Sequence, residues 1–247
     1  MTLGSYSAKI ILCIPTYNER ENIDLLIPKI LQIFDEQNTN GVILVIDDSS
    51  PDGTAKIVKK WMETDERVQL LSRLKKTGLG SAYRAGFRKA LELKADVIFE
   101  MDSDFSHDPK MIPTMLQSLE QSDLVVGSRK VGKGGVSGWG FRRRLVSWGA
   151  NVITHFLLGL KTRDVTGGFR AIRANVLQGL DLENMKTEGY AFQLELLYYI
   201  ERIARKKVIE VPILFTDRVR GQSKLGIGDI MEFAAQVLLL FFRRGKK

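Results

Sequence analysis

Two aspartates, Asp102 and Asp104, stand one residue apart directly after the apolar run Val97-Ile98-Phe99-Glu100-Met101. In an extended backbone, residues two apart point to the same side, so both carboxylates can converge on one object just past a strand end. Converged carboxylates repel each other unless a positive charge lies between them. A divalent cation meets that condition. Hard oxygen ligands select Mg²⁺ or Mn²⁺, which keep part of their shell for water and phosphate oxygens. The chain continues Phe105-Ser106-His107-Asp108-Pro109, and an aspartate before a proline equally marks a turn that caps a helix. The surroundings must decide between the two.

Two further polar loops follow apolar runs, Pro15-Thr16-Tyr17-Asn18-Glu19 and Ile46-Asp47-Asp48-Ser49-Ser50-Pro51-Asp52-Gly53. The Tyr17 ring can stack on a base, and the Asp48 carboxylate can accept from a ring N–H or a ribose hydroxyl. Either loop alone is ordinary turn and cap chemistry. Together, upstream of the paired aspartates, they point to a nucleotide pocket. Glycines 78, 80 and 86 do not make a dinucleotide fingerprint, because Tyr83 stands where G-x-G-x-x-G needs its third glycine. Cys13, the single cysteine, lies inside an apolar run and reads as core, with no disulfide framework. The two histidines offer no strong general base. His107 reads as a support for the aspartate loop, and His155 as a structural or interfacial residue on an apolar helix.

The elements that must position these loops alternate. Short apolar runs at 9–15, 42–46, 68–71 and 97–101 read as strands, and 19–34, 54–61 and 80–93 carry helical periodicity. That β-α alternation predicts an α/β fold with a mostly parallel sheet and helices on both faces. Ligands in such sheets bind beyond the carboxyl ends of the strands, where the three polar loops lie. Residues 124–128 read as a fifth strand. The stretch 129–140 holds five glycines without hydrophobic periodicity and reads as a flexible loop suited to a lid. An apolar-faced helix over 145–160 follows Arg142, Arg143 and Arg144, and a second apolar segment, 227–244, ends in a basic tail.

The chain has 247 residues and a net charge of +8. Residues 1–128 carry 15 Lys and Arg against 19 Asp and Glu, whereas 129–247 carry 22 against 10. The second half therefore suits an anion or an anionic surface. No nucleic-acid-binding motif or basic arm accompanies the charge, so a phosphorylated ligand or a membrane is expected, not nucleic acid. No apolar run reaches the roughly 20 residues of a membrane span, and no secretory signal pattern precedes the first strand. An amphipathic segment with a basic end suits the surface of an anionic bilayer.

In order, the chain contains P-T-Y-N-E, D-D-S-S-P-D-G, G-L-G-S-A-Y, M-D-S-D-F-S-H-D-P, G-S-R, G-G-V-S-G-W-G-F-R-R-R-L-V-S-W-G-A-N and D-R-V-R-G-Q-S-K-L. This series resembles family 2 glycosyltransferases of the GT-A fold, and among them the dolichol-phosphate and polyprenyl-phosphate mannose synthases, over roughly residues 9–229. The resemblance implies an inverting enzyme that moves mannose from GDP-mannose to a polyprenyl or dolichyl phosphate with the help of Mg²⁺ or Mn²⁺. It implies that Pro15, Tyr17, Glu19, Ile46 and Asp48 hold the nucleoside, and that Asp102, Ser103 and Asp104 face the metal and donor phosphates. Asp102, Asp104 and Ser106 become the metal set, Ser106 standing where some relatives have a glutamine. Arg129, Arg143 and Ser147 correspond to residues that hold the lipid phosphate, and Arg218 and Lys224 to the pair on the donor diphosphate. Asp104, Arg129 and Arg218 would carry the catalytic charge. In these terms, 1–225 is the catalytic domain, with 129–144 as acceptor loop and 145–160 as interface helix, and 226–247 is a C-terminal amphipathic helix and tail. The expected location is the cytosolic face of a membrane, peripheral, with or without the small membrane partner subunits that some relatives use. Two rival readings remain: the same fold using UDP-glucose or another donor, and a non-catalytic module that binds anions or membranes.

Overall fold

A computed structural model describes residues 8–138, 140–216 and 227–243, without the side chains of Arg142, Arg143, Ile227 and Asp229. The first half alternates as expected: β1 (Ile10–Thr16), α1 (Arg20–Glu36), β2 (Gly41–Asp47), α2 (Thr54–Thr64), β3 (Val68–Ser72), α3 (Leu79–Glu92) and β4 (Val97–Glu100). Next come α4 (Ile112–Leu119), β5 (Leu124–Ser128), β6 (Gly135–Ser137) and α5 (Phe141–Leu158). The chain then forms β7 (Arg170–Arg173), α6 (Ala174–Gln178), α7 (Gly189–Tyr198), β8 (Val208–Pro212), β9 (Leu214–Thr216) and α8 (Ile227–Arg243). Seven strands form one sheet in the order β3-β2-β1-β4-β7-β5-β8. Only β7 runs antiparallel to its neighbours β4 and β5.

Both faces of the sheet are buried, which is why its strands read as continuous apolar runs. Along β1, Ile11 and Cys13 face one core with Tyr83 and Phe87 of α3, Phe192 of α7, and Phe233 and Val237 of α8. Ile10, Leu12 and Ile14 face the other core, with α1, Val58 of α2 and Met115 of α4. Cys13 is thus core, and burial pushes its thiol well up, away from thiolate chemistry. At Gly80 an added Cβ would lie 2.4 Å from the Thr187 carbonyl oxygen. The glycine-rich entry to α3 therefore serves close packing against the segment before α7.

Two sequence expectations change. The 129–140 stretch is not wholly irregular: β6 inside it pairs parallel with β9, Gly135 opposite Leu214. A three-residue strand is too short to leave a period in sequence. The helix expected from 145 begins at Phe141, so the three arginines occupy its first turn, and Gly159 (φ 65) ends it after Leu158.

Candidate active site

The carboxyl ends of β1, β2 and β4 bring the three polar loops to one edge of the sheet. Parallel pairing sets Pro15 beside Ile46 and Thr16 beside Asp47. Asp47 organises the second loop by accepting from the Ser50 N–H at 3.1 Å, the Ser50 hydroxyl at 2.6 Å and the Thr16 hydroxyl at 3.2 Å. The loops then lock together, the Asn18 N–H donating to Ser50 Oγ and the Glu19 N–H to Thr54 Oγ1. Glu19 Oε2 accepts from Asn22 at 2.6 Å, which makes Glu19 a local brace at the start of α1. Lys76 Nζ lies 3.8 Å from the centre of the Tyr17 ring.

Asp48 is buried and forms an ion pair with Arg73, Nη1 to Oδ1 at 2.7 Å. Burial pushes the Asp48 carboxyl up, and Arg73 offsets part of that shift. Arg73 follows β3 directly and also donates to Ser81 Oγ at 2.6 Å and to Thr77 Oγ1. This arginine was not singled out from sequence. The available signal was its place at the carboxyl end of a parallel strand, the same rule that selected the other loops.

The aspartate pair sits in a tight turn, not in a continued strand, because β4 stops at Glu100. Phe105 adopts φ 62, and the Ser106 N–H donates to Asp104 Oδ1 at 3.1 Å. The Asp102 N–H donates to His107 Nδ1 at 3.1 Å, which leaves the ring proton on Nε2, 3.8 Å from Asp102 Oδ2. His107 stacks on Phe169 at 5.0 Å and meets the edge of Phe215. Burial lowers the His107 pKa against the opposing pull of Asp102 and Asp104, so it is a neutral prop for the loop, as the sequence suggested. Ser103 and Asp104 are buried, while the Asp102 side chain is 30% exposed.

A divalent metal fits this turn. Ser106 Oγ is buried without a hydrogen-bond partner among the described residues, next to the backbone bond that holds Asp104. Two carboxylates and one orphaned hydroxyl form an all-oxygen donor set of the kind Mg²⁺ and Mn²⁺ prefer. Among the described residues no cluster of three His, Cys, Asp or Glu could hold an ion. The remaining ligands would have to be water and phosphate oxygens.

Behind the turn lies a second buried polar pair that sequence reading passed over. Antiparallel β7 puts Arg170 opposite Glu100, with Nε 3.9 Å from Glu100 Oε2. Arg170 is fully buried and donates to three carbonyls, those of Gly167, Gln193 and Val165. Burial pushes the Glu100 carboxyl up to about 7, despite the counter-pull of Arg170.

The expected acceptor residues divide. Arg129 reaches the end of the sheet, but its guanidinium grips Asp164, Nε to Oδ2 at 2.8 Å and Nη2 to Oδ1 at 2.6 Å, and donates to Thr166 Oγ1 at 2.8 Å. Burial would raise the Asp164 carboxyl, yet Arg129 holds it below the usual carboxylate range. In this structure Arg129 is therefore a buried strut, and the geometry does not present it as an open phosphate fork. Sequence cannot reveal that commitment, because Asp164 lies 35 residues away. Ser147 does lie on α5, and its Oγ is buried without a partner among the described residues. One turn on, Asn151 donates to the Ser147 carbonyl at 2.5 Å and accepts from the Val165 N–H at 3.1 Å, tying α5 to the strut. Arg143 stands in the first turn of α5. Arg218 and Lys224 lie outside the described residues.

The profile of the family described as glycosyl transferase family 2 matches residues 11–180. Over 229 residues the chain is 38% identical to an undecaprenyl-phosphate mannosyltransferase of Micrococcus luteus, covering 93% of this chain and 92% of that one. It is 39% identical over 226 residues to a polyprenol monophosphomannose synthase of Mycolicibacterium smegmatis, covering 91% and 83%. Among solved structures, glucosyl-3-phosphoglycerate synthase of Mycobacterium tuberculosis with Mg²⁺ and UDP matches with a TM-score of 0.70 at 20% identity, over 96% of this chain and 80% of that one. At that identity the likeness establishes the GT-A architecture alone. The matched profile, the two relatives and the sheet-edge constellation agree: the chain belongs to glycosyl transferase family 2.

Proposed function

We propose that this protein transfers mannose from GDP-mannose to a membrane polyprenyl phosphate, releasing GDP and leaving a β-mannosyl phosphate lipid. The observation that carries this reading is the construction of α5. Among the described residues no side chain caps its N-terminus, and three arginines fill its first turn. Cations there oppose the helix dipole, at a cost of about 0.3–1 kcal/mol each, whereas a phosphate at the same place would be favoured by dipole, N–H groups and guanidinium alike. From that anion-ready end the helix presents an outward apolar face: Phe141 is 79% exposed, Trp148 61% and Phe156 86%. A phosphate head with a long apolar tail matches both parts. The names of the two relatives point to the same acceptor and sugar.

A phosphate monoester is mostly dianionic at neutral pH, its second pKa being near 6. It can attack without a general base, which suits a site whose one histidine is a buried prop. The acceptor oxygen bonds to the anomeric carbon as the bond to the donor's β-phosphate breaks, and the electron pair leaves with GDP. A single displacement inverts the α donor linkage to β. Asp102, Asp104 and Ser106 would hold the metal, which supplies charge neutralisation at the leaving diphosphate. Arg218 and Lys224 are proposed to share that task. Tyr17 would stack on the base while Asp48, oriented by Arg73, takes a nucleoside hydrogen bond. Ser147 and the arginines of α5 would hold the acceptor phosphate. Arg129 would shape that pocket through Asp164.

Among the described residues no helix is long and apolar enough to cross a membrane. Helices α5 and α8 pack on each other, and the apolar residues that both leave exposed support peripheral attachment, on the cytosolic face where nucleotide sugars are found. The test is incubation of the purified full chain with Mn²⁺, polyprenyl phosphate and each nucleotide sugar in turn. Mannolipid from GDP-mannose, with β configuration by NMR, is the expected result, and lipid product from UDP-glucose alone would overturn the mannose assignment. Asp104→Ala is expected to abolish transfer with an unchanged circular dichroism spectrum.

A further inference from the structure

The acceptor segment does not use all of the positive charge in the second half. After Gly159 ends α5, the chain enters the wall of a cavity of about 560 Å³ at the far end of the helix from the arginine turn. Lys161, Arg202, Arg205, Lys206 and Lys207 all line it. Its two acids already accept from backbone N–H groups and a hydroxyl. Glu201 accepts from the Lys161 N–H, the Thr162 N–H and the Thr162 hydroxyl, and Glu210 accepts from the Arg163 and Asp164 N–H groups at 2.8 and 3.0 Å. Among the described residues none of the five cations forms an ion pair with a carboxylate. Five cations and two carboxylates leave a formal excess of +3.

Such a cavity attracts an anion larger than an inorganic ion, and its position says where that anion would come from. A helix of 18 residues spans about 27 Å. If its outward apolar face lies flat on a bilayer, both ends meet the headgroup layer at one depth. The arginine end is reserved for the acceptor. The other end has Ile153 and Phe156 exposed shortly before Lys161, and Ile203 44% exposed between Arg202 and Arg205. Apolar side chains beside clustered cations are the composition of an anionic membrane contact.

We propose that this cavity docks the phosphodiester headgroup of an anionic phospholipid and so holds the C-terminal end of α5 on the membrane. The inference rests on the reading of α5 as a membrane-facing helix. Its test is sedimentation of the full chain with vesicles of phosphatidylcholine, with or without phosphatidylglycerol. The double variant Arg202→Gln/Lys206→Gln is compared with a matched double on α2, Lys59→Gln/Lys60→Gln, whose lysines are exposed. With each basic residue worth about fivefold at an anionic surface, the cavity variant should lose tenfold or more in affinity for phosphatidylglycerol vesicles. Its binding to neutral vesicles and its transfer to a water-soluble short-chain prenyl phosphate should equal wild type, and the α2 double should change less than twofold. Equal losses in both doubles, or no loss in the cavity variant, would overturn the site. Thermal stabilisation of wild type, but not the cavity variant, by millimolar inorganic phosphate would identify a soluble phosphate as ligand and overturn the lipid assignment. If wild type binds both vesicle types equally, the role of α5 stands and this cavity's falls. Binding to neither removes both.

Discussion

The Asp48–Arg73 ion pair shows how one residue's chemistry depends on another outside its motif. Asp48 reads from sequence as an acceptor for a nucleoside, yet a buried carboxylate is costly without a fixed partner, and Arg73 is that partner at 2.7 Å. Hydrogen bonds to charged groups are worth about 1.5–3 kcal/mol. Arg73→Ala should therefore weaken nucleotide-sugar binding about tenfold or more, read by calorimetry, with Arg73→Lys intermediate. Equal binding by the alanine variant would show that Asp48 needs no partner. Glu100 gives a second residue-scale prediction. Its folded pKa of about 7 lies above its ordinary value of 4.5, so between those values the folded state binds the extra proton and stability falls as pH rises. Glu100→Gln removes that titration. Relative to wild type, the variant should gain stability between pH 4.5 and 7, on the order of 3 kcal/mol, measured by urea unfolding at the two pH values. A constant difference would mean that Glu100 is ionised throughout.

At the scale of elements, α5 joins two tasks that are usually separate. Its inner side is pinned through Asn151 and Val165 to the Arg129–Asp164 strut, while its outer side leaves large apolar groups in solvent. Such a contiguous exposed face marks an interaction surface. Phe156→Glu, at the most exposed of the aromatic positions on α5, should reduce binding to neutral vesicles while transfer to a soluble short-chain acceptor persists. Parallel loss of both activities would place Phe156 in the catalytic centre instead. The helix start also shows what periodicity misses. The arginines at 142–144 read as a loop because they break the apolar stripe, but helical backbone tolerates them and an anion at the N-terminus would reward them.

The whole molecule carries its charge in two unequal halves, and the fold assigns each half a surface. The acidic first half supplies the aspartate loops, and the basic second half supplies α5 and the cavity beyond it. Attraction between clustered cations and an anionic bilayer is screened over about 8–10 Å at ordinary ionic strength. Transfer to polyprenyl phosphate in phosphatidylglycerol vesicles should thus fall several-fold between 50 and 500 mM salt. Transfer to the soluble acceptor should change much less, and equal salt sensitivity would locate the effect in the active site.

The alternating apolar runs sufficed to establish the parallel half of the sheet, because strands buried on both faces and their covering helices leave strong local signals. The aspartate pair, Tyr17 and Asp48 were legible for a related reason: polar residues at strand ends stand out against apolar neighbours. What sequence left unmarked depends on contacts between distant segments. Strand β7 enters the sheet antiparallel between β4 and β5 and brings Arg170 to Glu100, a pairing across 70 residues that no local pattern encodes. Arg129 matched an acceptor residue by type and position, but only the folded chain delivers Asp164 to its guanidinium. Residue type and order thus determined which chemistry is present. Tertiary structure decided which charged groups are consumed by each other, since burial makes every charge seek the nearest partner the fold supplies.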